Sequence, residues 1–185
     1  MKHRMAWLVV VLMLVSPLAR ADEEVPPTDY YKITGDQKHI FVMLAPKGRY
    51  SEKSKLLRKK YHYSGLYRND GSALSLWTVD WYAFSVYVSS DGSHLVRMGS
   101  WPKIMPNGDA NLDQLAFSFY ENGRLKRHYM ISDLMTNAAV VEASDSHFNW
   151  IKDLTFSDES GQLTAETLDR HRYIFDVKTG EPLKQ

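Results

Sequence analysis

The sequence predicts an all-β protein, and three observations carry the prediction. Five bends end in glycine after Asp, Asn, Ser or Thr: Asn69-Asp70-Gly71, Ser90-Asp91-Gly92, Glu121-Asn122-Gly123, Glu159-Ser160-Gly161 and Lys178-Thr179-Gly180. A type I turn followed by a left-handed residue closes a three-residue hairpin, and glycine takes that conformation without strain. The segments beside these bends alternate apolar and polar residues, the period of a strand with one face in a core. Helical signal is sparse: a single turn is expected over 132–137, with Ser132 as cap and Asp133 in its first turn. The expected architecture is an antiparallel meander of about ten strands closing as a sandwich or barrel, with an incomplete β-propeller-like array as the alternative.

Taken in order, residues 1–21 read as a cleavable signal peptide rather than as structure. Lys2 and Arg4 make a positive start, 6–15 is uncharged and apolar, and Ala19-Arg20-Ala21 supplies the small-x-small pattern that signal peptidase reads. The apolar stretch is about half of the ~20 residues a helix needs to span a bilayer, so no transmembrane anchor is expected after cleavage. A periplasmic or secreted location follows. No cysteine lies beyond the cleavage point, which excludes lipid attachment there, disulfides, thiol nucleophiles and thiolate metal sites. Of 23 Lys+Arg and 22 Asp+Glu, the signal removes Lys2, Arg4 and Arg20 and no acid, leaving a slightly acidic mature chain. Nothing in that balance points to nucleic acid as a partner.

The remainder divides into an extended leader, 22–38, which is acidic at its start and carries Pro26-Pro27, and one all-β domain, 39–185. The apolar run 40–45 is the length of one buried strand, and Pro46 ends it. Residues 47–60 hold seven basic side chains against Glu52 alone: either a solvated loop or short helix capped at Ser51, or a docking patch for an anionic polymer or lipid surface. The organising run is 76–98. Tyr82, Phe84, Val86 and Val88 alternate with smaller residues, the Asp91-Gly92 bend follows, and Leu95, Val96 and Met98 return. Leu115, Phe117 and Phe119 alternate before Gly123, Tyr129 and Ile131 follow it, and Tyr173, Phe175 and Val177 alternate near the end. The bend glycines are unevenly spaced, so no regular repeat is expected.

The segment Val88-Ser89-Ser90-Asp91-Gly92-Ser93-His94-Leu95-Val96 resembles the strand-turn-strand unit of β-propeller blades. Tyr120-Glu121-Asn122-Gly123-Arg124-Leu125 is similar to hairpins of strand-repeat proteins. Over 64–177 the chain resembles uncharacterised exported bacterial β-rich proteins. That resemblance implies export and a β fold, and it brings no activity with it. A closed propeller takes at least about four blades of four strands, more than this chain supplies.

Three constellations are candidates for function. Trp77 and Trp81 fall on one strand face and could offer a stacking platform for sugar rings or a peptide. Trp101 stands nearby in sequence, and Asp80 and Arg97 could bond hydroxyls. The competing reading places these tryptophans in the core between two sheets. Asn107, Asp109, Asn111 and Asp113 echo the first positions of a calcium loop, but Leu112 stands where glycine is needed and Ser118 where the bidentate acid is needed. Asp145 and His147, two apart in an extended stretch, could pair as carboxylate and imidazole with a neighbouring serine, though no nucleophile elbow surrounds them. No zinc spacing, P-loop or dinucleotide fingerprint is present, and no cofactor is expected. The expectation is therefore a non-enzymatic, exported β domain that binds an envelope glycan, peptide or protein. A hydrolase using Asp145 and His147, or a carrier of a small apolar ligand in a barrel mouth, are the alternatives.

Overall fold

The computed structural model describes residues 26–46 and 52–184. The signal segment 1–21 and the proposed cap Ser51 lie outside the described residues. Thirteen strands, all paired antiparallel, form four sheets in chain order. Sheet 1 is the meander β1 (Tyr30–Ile33), β2 (His39–Met43), β3 (Ser64–Arg68) and β4 (Ser75–Val79). Sheet 2 is the meander β5 (Val86–Val88), β6 (His94–Met98), β7 (Leu115–Glu121) and β8 (Arg124–Met130). A short hairpin, β9 (Glu142–Ala143) with β10 (Phe148–Asn149), precedes sheet 3, made of β11 (Ile151–Ser157), β12 (Gln162–Thr167) and β13 (Arg172–Asp176).

The all-β, hairpin-built fold is as the bends foretold, but the strands do not close into a barrel. They form small meanders one after another. Among the described residues no barrel mouth is formed.

Four of the five glycine bends join neighbouring strands, but through loops of six, five, two and four residues rather than the three expected. The fifth, at Gly180, turns the chain back against β13 only as far as a bridge between Phe175 and Pro182. The tightest is Asn122-Gly123, where both residues have positive φ (48° and 76°). That is the I′ geometry whose twist matches the strands it joins. The stretch expected to be an extended leader contributes β1, whose backbone pairs with β2 from Tyr30–Met43 to Ile33–Ile40, while Tyr30 Oη donates to the Ala83 carbonyl and Lys32 Nζ to that of Val86. The strand expected over 82–88 is confined to its last three residues. The carbonyls of Tyr82, Ala83 and Val86 accept from side chains (Arg97, Tyr30 and Lys32). Helix is not confined to 132–137. The basic run forms α1 (Glu52–Lys60), with Leu57 packed inward. The turn near Ser132 is a 3-10 turn, Ile131–Asp133, followed by a second at Ala138–Val140. Ser132 lies inside the first of these rather than capping it, and Asp133 Oδ2 accepts from the Met130 N–H at 2.7 Å.

A repeat does exist, in bonding rather than in spacing. Thr34-Gly35-Asp36-Gln37-Lys38-His39 joins β1 to β2, and Ser89-Ser90-Asp91-Gly92-Ser93-His94 joins β5 to β6. The registers correspond pair for pair: Ile33 faces Ile40 and Lys32 faces Phe41, as Val88 faces Leu95 and Tyr87 faces Val96. In both turns the hydroxyl donates to the histidine carbonyl and accepts from the histidine N–H, and it also donates to the aspartate. Thr167, Asp169 and His171 do the same between β12 and β13. Ser144 and His147 make the hydroxyl half of the pattern between β9 and β10.

Sheet 2 is the middle of the molecule. Toward sheet 1, Phe41, Met43 and Leu66 pack with Val86, Leu95 and Tyr120. Toward sheet 3, Val96, Phe117 and Phe119 pack with Leu163, Ala165 and Phe175. A third cluster, Ile40, Val42, Tyr61 and Tyr67, lies under α1 on the other face of sheet 1.

Candidate functional site

The junction of sheets 1 and 2 opens into a cleft of about 740 Å³. Its walls follow from two local features. β4 is an edge strand that ends at Val79, and it presents Leu76 and Trp77 there. Opposite, the Asn122-Gly123 turn seats directly on that strand: a Cβ at Gly123 would stand 2.7 Å from the Thr78 carbonyl and 3.3 Å from the Trp77 ring. Only glycine permits the approach. Asp91, Ser93, Glu121, Asn122 and Arg124 complete the rim.

The indole of Trp77 is fixed by Nε1–H donating to the Gly92 carbonyl at 3.1 Å, and its ring lies 5.7 Å from that of Phe41. Asp91 accepts from the Ser89 hydroxyl (2.6 Å) and from both the N–H (2.9 Å) and hydroxyl (2.7 Å) of Ser93. Partial burial tends to raise its pKa, but these hydrogen bonds prevail and hold it at about 2. Glu121 accepts from Lys126 Nζ at 3.1 Å, which with the lysine's charge keeps its pKa low. Both rim carboxylates are thus ionised and already engaged, whereas the exposed side chains of Asn122 and Arg124 have no bonding partner among the described residues.

Of the five residues expected to bind ligand, Trp81 and Arg97 are brought together, but the five do not share one site. Trp77 alone lines the cleft. Trp81 lies beyond the end of β4, tilted against Tyr120 at 5.1 Å and packed on the core between sheets 1 and 2. Arg97 lies over its ring at 4.6 Å, with Nη2 donating to the Tyr82 carbonyl. Both are committed to packing. Asp80 is exposed past β4. Trp101 belongs elsewhere: the segment after β6 pairs with the β9–β10 hairpin through Lys103 and His147, and Trp101 meets the His147 ring edge-on at 5.2 Å.

The alternative sites are also accounted for in geometry. His147 is buried, with Nδ1 2.8 Å from the Ser146 hydroxyl, while Asp145 points into solvent, so the carboxylate–imidazole pair is not formed. In the 107–113 loop, oxygens serve the loop itself. Asn107 Oδ1 accepts from the Asp109 N–H, Asn111 Oδ1 from the Asp113 N–H, and Asp113 Oδ1 from the Ser132 hydroxyl. Among the described residues, no group of three or more His, Cys, Asp or Glu is placed to hold a metal. The features missed were the Asn122-Gly123 wall and the Ser/Thr–Asp–His turns. The latter had a legible signal: His39, His94 and His171 each follow an aspartate by two or three positions, with Ser or Thr two before the acid. No family model, curated protein or solved structure matches the chain.

Proposed function

We propose that the chain is an exported, non-enzymatic binding domain of the cell envelope whose ligand, a glycan, seats in the cleft between sheets 1 and 2. One observation carries the reading. A fixed tryptophan, Trp77, stands in an open cleft whose rim offers Asn122 and Arg124, two planar polar side chains without internal partners. A rigid aromatic surface beside unengaged donors is what a sugar ring, apolar on its faces and hydroxylated at its edge, requires. Export rests on the signal-like pattern of 1–21. The test is a glycan array that includes peptidoglycan fragments, followed by titration of hits against wild type, Arg124→Ala and Leu76→Ala. Both substitutions lie on exposed strand positions, so melting should be unchanged; affinity should fall by about tenfold in Arg124→Ala for loss of a charged hydrogen-bond donor, and by less in Leu76→Ala, which removes only apolar contact. An array without hits, or hits that both variants retain at full strength, removes the proposal.

A further inference from the structure

The face of sheet 1 opposite the cleft carries a second feature that the cleft does not use. Tyr31 and Ile33 on β1 pair with Val42 and Ile40, which belong to the cluster beneath α1, so all four project on the helix side of the sheet. On that side the core is covered incompletely. Leu57 packs inward, yet Leu56 remains 70% exposed, Tyr63 65%, Ile33 51% and Tyr31 44%. Around these apolar groups stand Lys53, whose Nζ lies 5.4 Å from the centre of the Tyr31 ring, and the exposed Lys55, Lys59 and Lys60. The nearby acids are occupied: Glu52 bonds Lys55 at 2.5 Å, and Asp29 accepts from Arg58 at 2.7 Å. The patch therefore combines a positive surface with protruding Leu, Ile and Tyr side chains.

We infer that this α1 face docks on an anionic phospholipid bilayer. Lysines alone would suit any polyanion, since counterion release is indifferent to what carries the phosphates. Four exposed apolar side chains set among them gain nothing from a soluble polyanion. A bilayer interface serves both, with acyl chains for Leu56 and Ile33, headgroup depth for the tyrosines and anionic phosphates for the lysines. The orientation leaves the cleft, on the opposite face of the same sheet junction, turned toward solvent.

The chain has no cysteine, so Leu56→Cys in the full-length protein can carry one environment-sensitive fluorophore, with Asn107→Cys as a control on the distant 107–113 loop. The labelled proteins are mixed with vesicles of phosphatidylcholine alone, with vesicles containing about 30% phosphatidylglycerol, or with heparin. Expected is a blue shift at position 56 with the anionic vesicles only, weakened at least about tenfold in lipid titration by Lys53→Glu/Lys59→Glu/Lys60→Glu and by added salt. Position 107 should not shift. Equal shifts with both vesicle types, a shift at 107 matching that at 56, an equal response to heparin, or no shift at 56 would each overturn the inference. Circular dichroism of each variant confirms that folding is retained.

Discussion

Asp91 and Asp169 show how a single carboxylate can fasten a turn in place. Asp169 is tied to Thr167 Oγ1 at 2.5 Å and to the N–H groups of Thr136 and Asn137 at 2.8 and 3.2 Å. Burial works against its ionised form, and these donors overcome it, so its pKa, like that of Asp91, is held at about 2 instead of 3.8. A folded-state pKa below the unfolded value gives stability that is complete above the unfolded pKa and is lost as pH falls toward the folded one. The window is thus from about 4 down to about 2. Wild-type protein should lose stability to urea across that interval, and Asp91→Asn with Asp169→Asn should be weaker at neutral pH and flatter below 4. A double variant with the full wild-type acid slope would show that other groups control it. At this scale the tryptophans were the least legible feature. Their sequence positions allowed one shared face, but β4 stops at Val79, and Trp81 turns instead to Tyr120 and Arg97.

Individual hairpins are where sequence and structure agree most closely, because turn chemistry is local. Gly92 illustrates how much each bend carries. Its φ of +70° is left-handed, and a Cβ there would meet Leu66 Cδ2 at 2.5 Å and the His39 ring at 3.2 Å. Gly71 has φ of +91° but open space around it. Gly71→Ala should therefore cost only the backbone term, about 1–2 kcal/mol. Gly92→Ala adds overpacking against sheet 1, for a total near 3 kcal/mol in urea denaturation. Equal losses would mean that the contact with Leu66 relaxes freely. What the local signal could not convey is capture from a distance. Tyr30 and Lys32 reach carbonyls more than fifty positions along the chain, and that capture ties the supposed leader to the segment that enters sheet 2. Neither side chain announces its target in sequence.

The molecule as a whole depends on sheet 2, which shares one core with sheet 1 and another with sheet 3. Phe175 is fully buried in the second core, with rings of Phe117, Phe119 and Tyr129 centred 6.0, 5.5 and 5.0 Å away. Phe175→Ala should cost about 3–5 kcal/mol and, because the two cores meet in the same strands, should lower the melting of sheets 1 and 3 together. Hydrogen exchange that loosened only β11–β13 would argue for independent units. The fold class was legible since every bend pointed the same way; the layering was not, because nothing in a single bend says which sheet its strands will face.

The paired turns before β2 and β6 have a consequence for where those strands begin. Two ten-residue stretches, Thr34–Met43 and Ser89–Met98, share loop length, strand register, hydroxyl bonding and the final His-to-Met strand. In each, one side-chain oxygen holds both the N–H and the carbonyl of the histidine that starts the next strand. Removing that oxygen at Thr34 or Ser89 therefore frees the offset at which β2 or β6 begins, and a slip of one residue would turn its buried side chains outward.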